Sequence, residues 1–237
     1  PVTLTYMGPN DGCMFNVVGH NTTFDNIIFK MPASKQGTFI RSTISTGSTA
    51  FVMHQNTFDI QGKTKILDIT IKGLIGFTRN NLILNTNTNL AGTGYENLIV
   101  LRNGTGLVTT DEVGFIFGGN IIFWKINVTQ TSAISILKAL NPVRSVGVQN
   151  NAVKLTKAAA ANIVAPTSFV NFDFTASGAT NEQLGVLVSQ NRINLNAGQF
   201  VSMTSASNSF TEELVLAQGN KIYGVTTLGN PVIDQDN

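Results

Sequence analysis

Charge is what this 237-residue chain has least of: 12% of its residues are Asp, Glu, Lys or Arg, about half the usual share. Its solubility therefore rests on neutral amides and hydroxyls, and Asn and Thr together make up roughly a quarter of the chain. The formal balance of +2 comes from scattered residues, with no Lys/Arg cluster denser than Lys63 and Lys65. Nucleic-acid packaging, which needs a basic arm or stripe to neutralise phosphates, is disfavoured. Cys13 is the only cysteine, so no intrachain disulfide can form. Its neighbours Met14 and Phe15 make it a buried small hydrophobe in this reading. No run approaches the eighteen apolar residues of a membrane-spanning helix, and membrane insertion is not expected. Nor does the amino terminus pair a basic segment with an apolar core, so a signal peptide is not expected; a start at Pro1 fits removal of an initiator Met from a complete chain.

What the chain does have is short apolar runs. Residues 66–71, 81–84, 98–101, 115–117 and 121–128 are rich in Ile, Val, Leu and Phe and are closed by Asn, Gly or Thr. None is long or periodic enough for a helix, and this is the pattern of strands between tight turns. The fold class read from it is all-β. Taking Ile27, Ile69, Ile99, Ile126 and Val148 as strand centres gives irregular steps within or near the period of a parallel β-solenoid, whose turns bury their apolar faces only by stacking. Gln55-Asn56-Thr57-Phe58-Asp59-Ile60 resembles His20 to Ile27 in wording, about 34 positions earlier. Ordinary antiparallel hairpins could produce the same texture, and two β-sandwich domains are the alternative architecture.

Two features favour the solenoid. Turn asparagines outside Asn-Gly pairs (Asn80-Asn81, Asn85, Asn87, Asn89, Asn120) suit left-handed corners and can bond to the next coil. Several runs are also continuously apolar where a sheet with one wet face should alternate. Phe115-Ile116-Phe117 and Ile121-Ile122-Phe123-Trp124 would leave a greasy flank that packing against sister chains could hide. The expected layout is an N-terminal arm over residues 1–12, a parallel β-solenoid over 13–150, and a small β-sandwich over 151–237. Near the boundary, Ala133, Ile134, Leu137 and Leu140 have helical spacing, and residues 155–163 could form a short helix. Ser209 and Glu212 fit a capping box, although strand is preferred there.

Chemistry is sparse. Polysaccharide cleavage needs two carboxylates about 5 to 10 Å apart, and Asp25, Asp59 and Asp68 are the candidates, since stacked coils could bring Asp25 and Asp59 onto one face. Both follow Phe in matching positions, where Asp commonly satisfies local backbone amides. Asp111-Glu112 and Glu212-Glu213 read as solvated pairs. His20 and His54 alone do not make a metal site. No Gly-x-Ser-x-Gly elbow is present; Gly104-x-Gly106 lacks a following helix and Gly118-Gly119 is a turn, so no phosphate cradle is read. The sequons at Asn21, Asn103 and Asn127 are what chance gives in so Asn- and Thr-rich a chain. Trp124 is read as a buried or subunit-facing indole rather than a sugar platform. No catalytic, cofactor-binding or metal-binding residue is expected, and no cofactor.

Residues 153–226, with FVNFDFTA, NRINLNAGQFVSMTSAS and ELVLAQGNKIYGVTT in order, resemble the strand order of compact trimeric jelly-roll heads of the tumour-necrosis-factor and C1q type found on phage fibres, which implies a jelly-roll-like β-sandwich over 151–237. With Asn/Thr-rich coils in front, the whole resembles bacteriophage virion proteins that place a right-handed β-helix before a small β-sandwich. The resemblance implies a non-enzymatic structural protein, homotrimeric, on the virion surface as capsid cement, decoration, spike or fibre, with major capsid or tail proteins as partners. A tailspike that binds or cuts host-surface polysaccharide is the alternative it implies.

Overall fold

The computed structural model describes residues 1–18, 21–43, 49–70, 73–102, 113–139, 145–163, 167–173, 185–204 and 215–227. Among them the chain is all-β, without a helix, and every strand pairing is parallel. Strands are dealt to three sheets in rotation. The first sheet takes β1 (Val2–Thr5), β4 (Ile27–Met31), β7 (Thr57–Ile60), β10 (Asn81–Thr86), β13 (Ile121–Ile126) and β16 (Ala152–Lys157). The second takes β2 (Gly12–Val17), β5 (Gln36–Thr43), β8 (Lys63–Thr70), β11 (Asn97–Arg102), β14 (Ile134–Ala139) and β17 (Thr167–Asp173). The third takes β3 (Thr22–Asp25), β6 (Thr49–His54), β9 (Gly73–Thr78), β12 (Val113–Gly118), β15 (Ser145–Gln149), β18 (Gly185–Ser189) and β20 (Val215–Gln218). The long β19 (Arg192–Thr204) joins the first two sheets, its start pairing with β16 and its end with β17, and β21 (Lys221–Thr227) stacks on it. From β1 to β16 each strand thus lies beside the one three places on, the pattern of a solenoid, and with the merged β19 the step becomes two.

The alternation of side chains explains where the core sits. In β13 exposure alternates residue by residue, with Ile122, Trp124 and Ile126 inside. Parallel register sets like upon like: Phe29, Phe58, Leu82, Ile122, Val153 and Ile193 form one inward row on the first sheet, all buried. Phenylalanines stack through the interior, Phe29 on Phe58 at 5.0 Å and Phe77 on Phe117 at 5.3 Å, nearly coplanar in both cases. Offset ring pairs of this kind add about 0.5–1.5 kcal/mol beyond their burial. Trp124 belongs to this core and donates its indole N–H to Thr86 Oγ1 at 2.9 Å.

Several expectations need correction. Residues 1–12 are not a loose arm: Val2–Thr5 pairs with β4 and Tyr6 is buried, donating to the Pro9 carbonyl. The helical spacing after Ala133 belongs to a strand, Ile134–Ala139. The second sheet's paired register skips one residue per strand, Phe39, Ile66, Leu98, Ile136 and Phe169 in successive coils, so two consecutive apolar residues turn inward and imitate a helical stripe. The run 155–163 is the end of β16 followed by a turn. The architecture does not change at 149–151. In the described part of 151–237 the strands fall close to where alternation placed them, but they continue the parallel ladders of the coils before them and show no antiparallel sandwich pairing. The proposed capping box at Ser209 lies outside the described residues.

Candidate functional site

Where the third sheet hands over to the first, each coil turns on two residues. The first is left-handed: Gln55, Arg79, Gly119, Asn150, Gln190 and Gly219 have φ between 53° and 66°. The second is always asparagine: Asn56, Asn80, Asn120, Asn151, Asn191 and Asn220. Their side chains form a ladder along the solenoid. Asn120 Nδ2 donates to Asn151 Oδ1 at 2.9 Å and to the Phe77 carbonyl at 3.0 Å, while its own Oδ1 accepts from the backbone N–H and side chain of Asn80. Asn80, Asn151 and Asn191 repeat the arrangement. Five of the six, Asn56 to Asn191, are no more than 1% exposed, so each amide is buried and satisfied by its neighbours. The first corner is a residue shorter. There Asn26 is itself left-handed, and the Ile27 N–H donates to Asn56 Oδ1.

The ladder fixes the outward surfaces on either side of it. On the first sheet Ile121 and Phe123 are about half exposed, as is Tyr223 three rungs along. With Ala152 they line a shallow depression of about 240 Å³ whose rim carries Lys154 and Arg192. Lys125 and Lys221 are exposed on the same side. Such a surface can hold flat apolar groups and attract negative charge. No carboxylate is among the described residues that line it.

The predicted site residues do not converge. Asp25 ends β3 on the third sheet beside His54, Asp59 faces out of the first sheet between Lys30 and Ile83, and Asp68 lies on the second sheet, paired with Lys65 at 3.1 Å. The similar wording around Asp25 and Asp59 is misleading: in register, Phe58 lies on Phe29, not on Phe24. His54 Nδ1 lies 2.9 Å from Thr78 Oγ1, and no group of three metal-ligating side chains exists among the described residues. His20, Asp111, Glu112, Glu212, Glu213, Asn103, Gly104 and Gly106 lie outside the described residues. Gly118 ends β12 and Gly119 is the left-handed corner residue. Cys13 is partly buried and free. Asn21 is exposed and its Oδ1 accepts from the Ala50 N–H at 3.3 Å, and Asn127 Nδ2 donates to Asn87 Oδ1 at 2.8 Å.

Besides the ladder, sequence reasoning missed a part-buried polar contact between residues far apart in the chain. The Tyr95 hydroxyl donates to Asp11 Oδ1 at 2.7 Å, and Gln36 donates to the same oxygen. Burial first, and then the bond to Asp11, hold the Tyr95 phenol above its ordinary value; burial likewise raises Tyr6. No local motif announces a pairing across 84 positions. No family model, no curated protein and no solved structure matches this chain.

Proposed function

We propose that the chain is a non-enzymatic structural protein of a bacteriophage virion, a homotrimeric cement, decoration, spike or fibre subunit built on a right-handed parallel β-helix. The handedness follows the near-universal hand of connections between parallel strands. The observation that carries the reading is the combination of parallel stacking from β1 to β21 with outward apolar side chains, Leu74, Ile83, Ile116, Ile121 and Phe123, that stand exposed among the described residues. A protein built to stand alone seldom leaves so many large apolar groups on sheet faces. A rod meant for sister chains and particle proteins has a use for them. The scatter of Asp25, Asp59 and Asp68 over three sheets supports a structural role over hydrolysis. Antibody labelling of particles is the direct test: decoration of the virion surface is expected, and virions that carry none of the protein overturn the assignment.

One observation favours a second reading, a tailspike that holds host-surface polysaccharide: the depression lined by Phe123 and Tyr223 and rimmed by Lys154 and Arg192. Incubation with capsule or lipopolysaccharide separates binding from cleavage. Retention without shortening supports this second reading, and shortened chains overturn the non-enzymatic one.

A further inference from the structure

The outward side of the third sheet is unlike the other surfaces. Its middle row, read across the coils, runs Thr23, Val52, Gly76, Ile116, Gly147, Leu187. A flanking row places Leu74 beside Gly114. Ile116 and Leu74 are 44% and 47% exposed. Among the described residues, the outward positions of β6, β9, β12, β15 and β18 contain no Lys, Arg, Asp or Glu; Asp25 ends the edge strand β3 and Arg79 follows β9 at the corner.

The glycines here are not required by their own chain. None of Gly76, Gly114 and Gly147 has a positive φ, and a Cβ placed on each would meet its nearest neighbour at 3.7, 3.4 and 3.5 Å, ordinary van der Waals distances. Gly62 is the contrast, since a Cβ there would lie 2.2 Å from the Lys35 carbonyl. A glycine inside a strand costs stability and marks close approach from outside. Here the approach comes to the middle row, and the row is neutral, so like can meet like without repulsion. Three copies can close around such a face. Strands of five or six residues make the face about 17 Å wide, and three such faces closed into a triangle stand about 5 Å from the common axis, half the roughly 10 Å at which sheets pack. The middle row then lies nearest the axis. A large side chain fits there when the rungs above and below it are small, as Gly76 and Gly147 are for Ile116.

We propose that the outward side of the third sheet lines the threefold axis of a homotrimer, where Ile116 from three copies meets between glycine rungs. This rests on the self-assembling reading above and adds which surface does the assembling. Sedimentation velocity of the full chain at micromolar concentration tests it. The wild type should run as a trimer, Ile116→Lys at one third of that mass with an unchanged far-ultraviolet spectrum, and Phe123→Lys, on the first sheet, as a trimer still. A second measurement covers the case in which Ile116→Lys misfolds: Ile116→Cys treated with a short bismaleimide, whose reach suits thiols around a threefold axis, should give a covalent dimer, whereas Ile83→Cys and the wild type, with Cys13 alone, should not. A trimer that survives Ile116→Lys and does not cross-link through Ile116→Cys overturns the axis and leaves self-assembly standing. A wild-type monomer overturns self-assembly itself.

Discussion

The outward sides of the first and third sheets meet at one corner and share one core, yet they have opposite characters. Ile121, Phe123 and Tyr223 stand up from the first beside Lys125, Lys154, Arg192 and Lys221. The third is low and neutral, with Gly76, Gly114 and Gly147 between Leu74 and Ile116. Their inward rows do not differ in this way, since both supply Phe and aliphatic residues to the same interior. Folding therefore dictates the inside, and the outside is shaped by what each surface meets. A surface that meets copies of itself around an axis brings identical groups together, which the cations of the first would resist and the neutral third permits.

The corner asparagines belong to both surfaces, so breaking them should erase the comparison altogether. Asn120→Ala removes the acceptor of the Asn80 backbone and side-chain N–H groups and one donor to the Phe77 carbonyl, all in a fully buried place. A buried group left unpaired costs about 1–3 kcal/mol, and more than one is orphaned here. A loss of about 3 kcal/mol or more is expected in urea unfolding, with probes on either sheet reporting the same transition. A loss below about 1 kcal/mol would mean that water or neighbouring rungs take over the ladder's role.

How much of this was readable from residues divides along the same line. Strand positions were legible from short apolar runs closed by Asn, Gly or Thr; in Ile121 to Ile126 the period-two alternation of burial is masked in the sequence, because the outward Ile121 and Phe123 are apolar too. Asn80 and Asn120 were noticed as corner residues, but the left-handed positions belong to Arg79 and Gly119 just before them. The ladder as a whole stayed hidden because its rungs lie 24, 40, 31, 40 and 29 residues apart. Coil length varies while the corner stays constant, so a search for a fixed period fails. The sandwich expectation erred for a related reason. Alternation and turn residues such as Gly219-Asn220 tell where a strand ends, not whether the next one returns antiparallel or climbs to a new coil. The site failed to assemble for Asp25 and Asp59 because similar wording fell on different sheets.

The corner between first and second sheets gives a smaller, pH-dependent contrast. It carries the Tyr95 to Asp11 bond, whereas the asparagine corner holds only amides. Because burial and Asp11 raise the Tyr95 phenol, the folded chain keeps this proton more tightly than the unfolded one. The associated stabilisation is complete below the ordinary tyrosine value near 10 and is lost as pH climbs from there through the folded-state value. Melting temperature should accordingly fall above about pH 10. Tyr95→Phe should cost about 1.5 kcal/mol at neutral pH, the low end of the range for a bond to a charged acceptor since Asp11 is exposed, and should flatten that alkaline fall without abolishing it, because Tyr6 is shifted in the same direction. An alkaline limb identical in the two proteins would show that this corner does not respond to the phenol.

The smallest expected effect separates folding from assembly on the third sheet. Gly147→Ala adds a methyl group at a site with ordinary φ, where its nearest contact within the chain is the far end of the Gln149 side chain at 3.5 Å. For the isolated chain the change should help, by about 0.5–1 kcal/mol, since Ala loses less freedom than Gly on entering a strand. In the trimer the same methyl group would sit beside the Ile116 rung near the axis and take up space that three copies share. The sign should therefore reverse with assembly. In an Ile116→Lys background, where the chain is expected to be monomeric, Gly147→Ala should raise the urea midpoint; in the wild-type background it should weaken trimer association on dilution. A gain in both backgrounds would show that nothing approaches Gly147, and the contrast between the two surfaces would then be one of composition without consequence for assembly.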